Sequence, residues 1–516
     1  MKDIMNKNSD SRVKNSTYNI FFGMLNKVVI MLLTFVSRAI FLRVLSEDYL
    51  GINSLFSSIL NMLSLADLGL GTAMAYSFYK PLAEKDEKKI ASLIAFYKKV
   101  YNCIAAAVAI VGMFIIPFLD YIVKTDQDIP YLKVYYFVFL MNTVVSYLFV
   151  YKSTIISADQ KGYIISQYSI WVNVAKLVVQ TVILYITHNY LCYILVTVFA
   201  TLANNFILSY KVDKMYPYLK KGEQPSAEER KSIFNNVGSV FLYKLSHVLL
   251  TATDDILIST IVSTAAVGFY TNYRTITVNL EAISSTIFNA LTASVGNLIV
   301  KEKEERRYQV FRIMQMASFW ISGFFSVCTL YLTQDFIRLW LGDRYVMSEF
   351  TLLASVLNFY LGLCLPPIWS FREATGLYQK TKYIMLLTAG VNIVLSIILG
   401  QRFGIAGIVL ATFLSKILTY FWYEPRLLYH EYFGKKCGEY YLGHVINVVM
   451  MATLIFILQK IDIFKTIDSW GALIGRGIIT AIVVNVVYFL RYFWTNEFKE
   501  LFIKLRKMVK KSNELQ

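Results

Sequence analysis

Charged residues are scarce in this sequence. They make up 16% of its 516 residues, whereas hydrophobic residues make up 56%, and a typical soluble domain is about 25% charged. So few charges cannot solvate the surface of soluble domains of this length, and the high apolar content excludes a disordered chain. The mean hydropathy of +0.51 therefore favours an integral membrane protein.

Cysteine and the common catalytic motifs are also lacking. The five cysteines are scattered and form no CxxC pair, so we expect neither a disulfide framework nor a redox site. No GxxxxGK[ST] motif, no HExxH motif and no Cys/His cluster occurs, which excludes ATP hydrolysis through a P-loop. We predict no cofactor, no metal site and no catalytic residues, and hence a protein that is not an enzyme.

Apolar runs of bilayer-spanning length recur along the whole chain. They predict an all-α, polytopic membrane protein with about fourteen transmembrane helices. The predicted spans cover residues 18–43, 51–79, 90–119, 131–156, 164–187, 190–210, 233–261, 267–299, 310–341, 350–371, 383–400, 404–423, 441–459 and 470–493.

The connections between these spans alternate in charge. Of the 51 Lys and Arg residues, 36 fall on one side, together with both termini, and seven fall on the other. Positive charge marks the cytoplasmic side of a membrane protein, so both termini are predicted to be cytoplasmic. The net charge of +17 is then mostly a topology signal, and we expect no nucleic-acid partner.

The two halves of the chain resemble each other. At an offset of 217 residues, eight identities occur within 33 positions starting at residue 19. The offset spans six predicted helices, an even number, so the halves would be parallel repeats. This predicts an N-lobe at 1–212, a cytoplasmic linker at 213–231 and a C-lobe at 232–430. Residues 431–516 would add two further spans and an amphipathic tail on the inner leaflet.

Cations inside the predicted spans are the first candidate site residues, because charge is costly in a bilayer and marks function. Lys27, Thr34 and Arg38 share one helical face of the first span. Lys244 occupies the equivalent place in the repeat, and Arg274 is a further mid-span cation. We predict that Lys27, Arg38, Lys244 and Arg274 line a cleft between the lobes that binds an anion such as phosphate. Structural ion pairs are the alternative.

The acids inside the spans leave two interpretations open. Asp67, Asp254 and Asp255 could bind a coupling cation, or they could form structural pairs with neighbouring cations. Glu281 is the fourth clear acid within a span.

Other features of the spans favour packing or anchoring at least as much as function. Pro366 and Pro367 should break the tenth span, either as a hinge or as a plain packing kink. Arg338 and Arg476 lie near span ends and are expected to reach the lipid headgroups. Lys176 and Lys416 could do the same or pair internally.

Two stretches resemble a known family. One is FLRVLSEDYLGINSLFSSILNMLSLADLGLGTAMAYSFYKPLAEKDEKKI, from Phe41 to Ile90, and the other is TDDILISTIVSTAAVGFYTNY, from Thr253 to Tyr273. Both are similar to polysaccharide transporters, the O-antigen and capsule repeat-unit flippases of the multidrug/oligosaccharidyl-lipid/polysaccharide (MOP) exporter superfamily. The resemblance covers the twelve core spans. It places the family's acidic positions at Asp67 and Asp254.

The resemblance implies a two-lobed fold like that of the MATE transporters, with a cavity that opens alternately to either side. It implies a monomer in the bacterial inner membrane that translocates undecaprenyl-pyrophosphate-linked oligosaccharide among membrane lipids. Glycosyltransferases and a polymerase of the same pathway are implied partners.

Two other classes of function remain alternatives. A drug or organic-cation exporter of the same superfamily would favour an acidic cavity, which the excess of cations inside the spans argues against. A non-transporting membrane enzyme of envelope polysaccharide synthesis would need a large loop or soluble domain, and every predicted outer loop is short.

Overall fold

The computed structural model describes residues 2–64, 70–125, 127, 129–461 and 467–503. Within these residues the chain is helical apart from short connections, and it has no β-strand there. The predicted all-α fold is therefore confirmed. Asp67 lies outside the described residues, and so does the side chain of Lys244.

The chain forms two compact units, Met1–Gly268 and Phe269–Gln516. The helices of the first unit are α1 (Lys2–Val44), α2 (Glu47–Leu63), α3 (Leu70–Glu84), α4 (Glu87–Ile115), α5 (Leu119–Ile122), α6 (Leu132–Tyr147), α7 (Val150–Ala158), α8 (Gly162–Thr187), α9 (Tyr190–Met215) and α10 (Ala227–Ile261). The division falls within the next helix, α11 (Thr264–Lys301). The lobe boundaries at 213–231 and 431 stay a prediction.

The second unit contains most of α11 and seven further helices. These are α12 (Glu304–Leu341), α13 (Glu349–Cys364), α14 (Pro366–Ala374), α15 (Tyr378–Leu418), α16 (Tyr420–Glu431), α17 (Gly438–Ile461) and α18 (Trp470–Tyr492). Short 3₁₀ turns at Ile116–Phe118, Pro217–Lys221 and Asp343–Tyr345 complete the helical structure.

Nine helical segments within the described residues are long and apolar enough to cross a membrane, or ten if the bent pair α6 and α7 is one span. This makes the chain a multi-pass membrane protein. The predicted span at 51–79 includes residues 65–69, which lie outside the described set, and those at 233–261 and 267–299 include residues whose side chains lie outside it. The count of fourteen therefore stays a prediction.

The predicted span 383–400 and most of the predicted span 404–423 fall within α15, which ends at Leu418. Gly404 has φ 58° and ψ −135°, which are not helical values. Glycine adopts a positive φ without steric penalty because it has no Cβ. The single residue Gly404 therefore divides α15 into two helical segments, where the sequence predicts a short connection.

The proline pair begins α14. Pro366 lacks an N–H group and cannot continue the hydrogen-bond ladder of α13. The intervening Leu365 keeps right-handed helical angles, with φ −88° and ψ −18°, and Glu349–Ala374 still forms one apolar span. Both prolines are buried. The hinge role of Pro366 and Pro367 stays a prediction.

Aromatic rings fix the helices of the first unit near the C-terminal end of α1. Tyr190, fully enclosed at the start of α9, packs edge-on against Phe41 of α1 and against Tyr135 of α6, with centroids 6.0 and 4.9 Å away. Its ring also lies 5.0 Å from that of Tyr49 on α2. Such aromatic pairs add packing energy and direction to simple apolar burial. They set the positions of α1, α2, α6 and α9, which are four of the helices that surround the candidate site.

Candidate functional site

A cavity of about 810 Å³ lies within the first unit, between α1, α2, α6, α8 and α9. Its volume falls in the range of about 300–1,000 Å³ usual for ligand sites. Polar residues from all five helices line it: Thr34, Ser37 and Arg38 of α1, Asn53, Ser57, Asn61 and Ser64 of α2, Asn142, Thr143 and Ser146 of α6, Asn173, Lys176 and Gln180 of α8, and Tyr193 and Thr197 of α9. Such a polar interior within a membrane unit is costly to maintain and indicates a site.

Helical periodicity explains why these residues meet. The four polar lining residues of α2 and its C-cap are spaced by 4, 4 and 3 positions, and the three polar lining residues of α8 by 3 and 4. Residues at these intervals share one face of an α-helix. Leu50, Leu60 and Leu177 lie beside them in the lining, so the cavity has apolar as well as polar walls.

The cavity is cationic. Arg38 and Lys176 both line it, and none of the described lining residues is acidic. Lys176 makes no hydrogen bond or ion pair with any residue in the described part of the chain, and its side chain is only partly exposed. A lysine in mid-span without an acidic partner attracts an anion from solution.

The predicted cationic residues are placed differently from one another. Arg38 lines this cavity of the first unit, together with Thr34 of the same helical face, whereas the cleft between the lobes stays a prediction. Lys27 is exposed on α1 and is not part of the lining. Arg274 is partly buried on α11 in the second unit. The side chain of Lys244 lies outside the described residues, so its role and that of Arg274 stay predictions.

The two adjacent acids of α10 are buried. The Oδ2 atom of Asp255 accepts a hydrogen bond of 2.6 Å from the Ser58 hydroxyl of α2, and Asp255 is fully enclosed. Asp254 is 7% exposed. The hydrogen bond to Ser58 ties α10 to α2 and supports a structural interpretation of Asp255. Binding of a coupling ion by Asp67, Asp254 or Asp255 stays a prediction.

Lys176 is the site residue that the sequence analysis left undecided. A spanning lysine could have reached the headgroups, but the structure directs this one into the cavity. The signal was present in the sequence, because Asn173, Lys176 and Gln180 form a polar stripe at helical spacing on an otherwise apolar helix. That stripe does not reveal which helices it faces.

Cations near the ends of spans in the second unit are held by acids. Arg476 of α18 donates to Asp335 of α12 at 2.5 Å, and Arg338 donates to Asp335 and Asp343 at 2.8 Å each. The expectation that Arg338 and Arg476 reach the headgroups is therefore wrong for Arg476, which is 9% exposed. Asp335 lies within reach on a neighbouring helix, and a nearby carboxylate satisfies a guanidinium better than snorkelling does.

Solved structures of a lipid II flippase and of MATE transporters have a similar fold. The lipid II flippase MurJ in its inward-closed conformation superposes with a TM-score of 0.67 at 14% identity, over 91% of this chain and 99% of that one. The MATE multidrug transporter DinF-BH superposes with a TM-score of 0.60 at 16% identity, over 82% and 97%. An inward-facing multidrug resistance MATE transporter of the MOP superfamily gives 0.59 at 14%, over 78% and 97%. At such identities these similarities establish the fold.

Sequence establishes the family. Residues 40–349 match the polysaccharide biosynthesis protein family, and the chain belongs to that family. The resemblance drawn from Phe41–Ile90 and Thr253–Tyr273 is thereby confirmed. No curated protein sequence is significantly similar to the chain.

Proposed function

We propose that this protein is a flippase that moves undecaprenyl-pyrophosphate-linked oligosaccharide repeat units across the bacterial inner membrane. The units would serve capsule, O-antigen or exopolysaccharide synthesis. The cavity of the first unit carries the proposal, because Arg38 and Lys176 both line it and none of its described lining residues is acidic. A pyrophosphate needs such cations, and a saccharide needs the polar side chains around them. Membership of the polysaccharide biosynthesis family supports the same substrate class.

The mechanism that fits is alternating access. The substrate enters from the cytoplasm, binds through its charged headgroup, and leaves on the outer side after the protein changes conformation. An ion gradient, the membrane potential or the substrate gradient would drive the cycle. Lys27, Lys244 and Arg274 are further candidates for contacts with the anion during the cycle, and Asp67, Asp254 and Asp255 are the candidates for ion coupling.

The proposed function also predicts the location of the protein in the cell and the molecules that it meets there. The charge alternation supports an inner-membrane protein with both termini in the cytoplasm. Lipid-linked oligosaccharide and membrane lipids would be its direct partners. Glycosyltransferases and a polymerase would act before and after it, and we propose that it works as a monomer.

Extraction of lipid-linked sugars from a deletion strain tests the proposal, because a flippase changes no covalent bond. Loss of the protein should leave complete repeat units on the lipid carrier, facing the cytoplasm, and no surface polymer. Truncated units would identify an enzyme that builds them, and outward-facing single units would identify a polymerase. Unchanged polymer with greater sensitivity to cationic dyes would identify a drug exporter.

A further inference from the structure

The amide side chains of the cavity fall into two groups. Gln180 donates to the Tyr193 carbonyl oxygen at 3.1 Å and to the Thr197 hydroxyl at 3.0 Å, which ties α8 to α9. Asn173 donates to the Ser169 carbonyl oxygen of its own helix at 2.8 Å. These two amides serve the fold, because their hydrogen-bonding capacity is directed at neighbouring helices or at their own backbone.

The other three amides have no such partners. The side chains of Asn53, Asn61 and Asn142 line the same cavity and make no hydrogen bond with any residue that the structure describes. The Oδ1 atom of Asn142 is in addition enclosed and unsatisfied. An amide without a partner is unfavourable inside a membrane protein. Three of them facing one cavity therefore indicate a polar ligand there.

The hydroxyl groups around them do not provide the same chemistry. Those of Thr34, Ser57, Ser64, Thr143 and Ser146 each donate to a carbonyl oxygen of their own helix, at distances of 2.7–3.1 Å. Serine and threonine commonly bond back in this way within helices. Their protons are occupied, so the three amides are the side chains of this lining whose donors and acceptors are both available to a ligand.

We infer that Asn53, Asn61 and Asn142 bind the saccharide part of the lipid-linked substrate, while Arg38 and Lys176 bind its pyrophosphate. This inference rests on the proposed function and divides its site into two parts. Each amide offers two donors and an acceptor, which match the hydroxyl and acetamido groups of sugar rings. Asn53 and Asn61 lie eight residues apart on one face of α2, about 12 Å along the helix. That separation lets them contact different parts of an oligosaccharide and select its structure.

Binding of two probes by the purified, full-length protein in nanodiscs separates the two parts. The first probe is undecaprenyl pyrophosphate without sugar, and the second is the lipid-linked repeat unit extracted from the deletion strain. Asn61→Ala should weaken binding of the glycosylated probe about 3- to 10-fold, as expected for one lost hydrogen bond. It should leave the Kd of the sugar-free probe unchanged. Lys176→Ala should weaken binding of both.

Asn279→Ala is the matched control, because the Asn279 amide of α11 donates to the Thr275 carbonyl oxygen of its own helix and does not line the cavity. It should change neither Kd. Asn61 is exposed to the cavity, so its replacement should not disturb folding, and Asn53→Ala provides a second variant. Equal loss for both probes, or loss for neither, would overturn the saccharide assignment while leaving the flippase proposal intact. Failure of the wild-type protein to bind either probe would instead overturn the flippase proposal.

Discussion

Cations within the two units have different neighbours. In the first unit, Arg38 and Lys176 line a cavity whose described residues include no acid. In the second unit, Arg372 and Glu424 form an ion pair in which both side chains are almost completely enclosed, and Trp369 also donates to Glu424 at 3.2 Å. The comparison shows that a charged residue does not have a ligand-binding function only because it lies within a span. Its neighbours decide whether it stabilises the fold or is available to a ligand.

A second case in the same unit shows a lysine with a neutral partner. Lys416 of α15 donates to the amide oxygen of Asn358 on α13 at 2.6 Å. Glu281 of α11 packs closely against Gly362 on the same helix as Asn358. The hydrogen bond to Asn358 holds Lys416 to a packed helix, whereas Lys176 has no described hydrogen-bond or ion-pair partner. Substitutions at the two kinds of position should therefore affect different measurements.

The largest effect is expected from breaking the enclosed pair of the second unit. Glu424→Ala leaves Arg372 charged and enclosed without its main partner, which costs about 3–5 kcal/mol of folding free energy. Thermal unfolding of the purified protein should show a marked loss of stability and a reduced yield of folded protein. Glu431→Ala is the control, because its pair with Lys380 is largely exposed and such pairs contribute about 0–1 kcal/mol. Equal stability of Glu424→Ala and Glu431→Ala would contradict a structural role for the ion pair of Arg372 and Glu424.

The next largest effect concerns the cavity. Arg38→Ala and Lys176→Ala should each lower transport about 10- to 100-fold, because each removes a charge-assisted hydrogen bond worth about 1.5–3 kcal/mol to the substrate. Thermal stability should change little for Lys176→Ala, since Lys176 makes no hydrogen bond or ion pair with any described residue. Polymer export and thermal unfolding, measured on the same variants, check both parts. Loss of stability with normal transport per folded molecule would assign these cations to the fold.

Arg38→Lys refines this result. A lysine retains the charge but cannot bind a phosphate through two parallel N–H groups. Transport close to wild type would show that Arg38 acts as a point charge. A loss approaching that of Arg38→Ala would show that it clamps the phosphate.

A smaller effect is expected at the link between α2 and α10. Ser58→Ala removes the hydroxyl that donates to Asp255 and leaves the enclosed carboxylate with one hydrogen bond fewer. A hydrogen bond to a charged group contributes about 1.5–3 kcal/mol, so unfolding should move to lower temperature. Ser57→Ala is a neighbouring control, because the Ser57 hydroxyl donates only to its own helix. Identical unfolding of the two variants would contradict a structural role for Asp255.

The smallest effect is expected at Lys27. Its side chain is exposed and lies outside the cavity lining, so Lys27→Ala should reduce export less than Arg38→Ala does. Lys27 and Arg38 share one face of α1 but lie at different positions along the helix. The comparison therefore tests whether position along the helix, rather than the helical face, decides the effect on export. An equal loss of export for both variants would extend the binding region along α1 beyond the observed cavity.

The sequence predicted the fold well because long apolar runs and charge alternation are local signals. It also indicated Arg38 as a candidate, since a cation on a polar helical face in mid-span has few structural explanations. It did not predict that Lys176 lines the same cavity as Arg38 while Arg476 pairs with Asp335, because helical periodicity defines a face but not the helix opposite. The unsatisfied amides could not be predicted from the sequence for the same reason. Asn53, Asn61 and Asn173 look alike in sequence, and only their hydrogen bonds separate them.

Transport by the purified protein in proteoliposomes tests the central claim most directly. The vesicles would contain the extracted lipid-linked repeat unit, and an impermeant glycosidase or lectin would report its appearance on the opposite leaflet. Wild-type protein should move the lipid, and the variant carrying both Arg38→Ala and Lys176→Ala should move it no faster than protein-free vesicles do. Full activity of this double variant would contradict the account. So would the absence of lipid movement by the wild-type protein when a proton gradient, a sodium gradient or a membrane potential is applied to the vesicles.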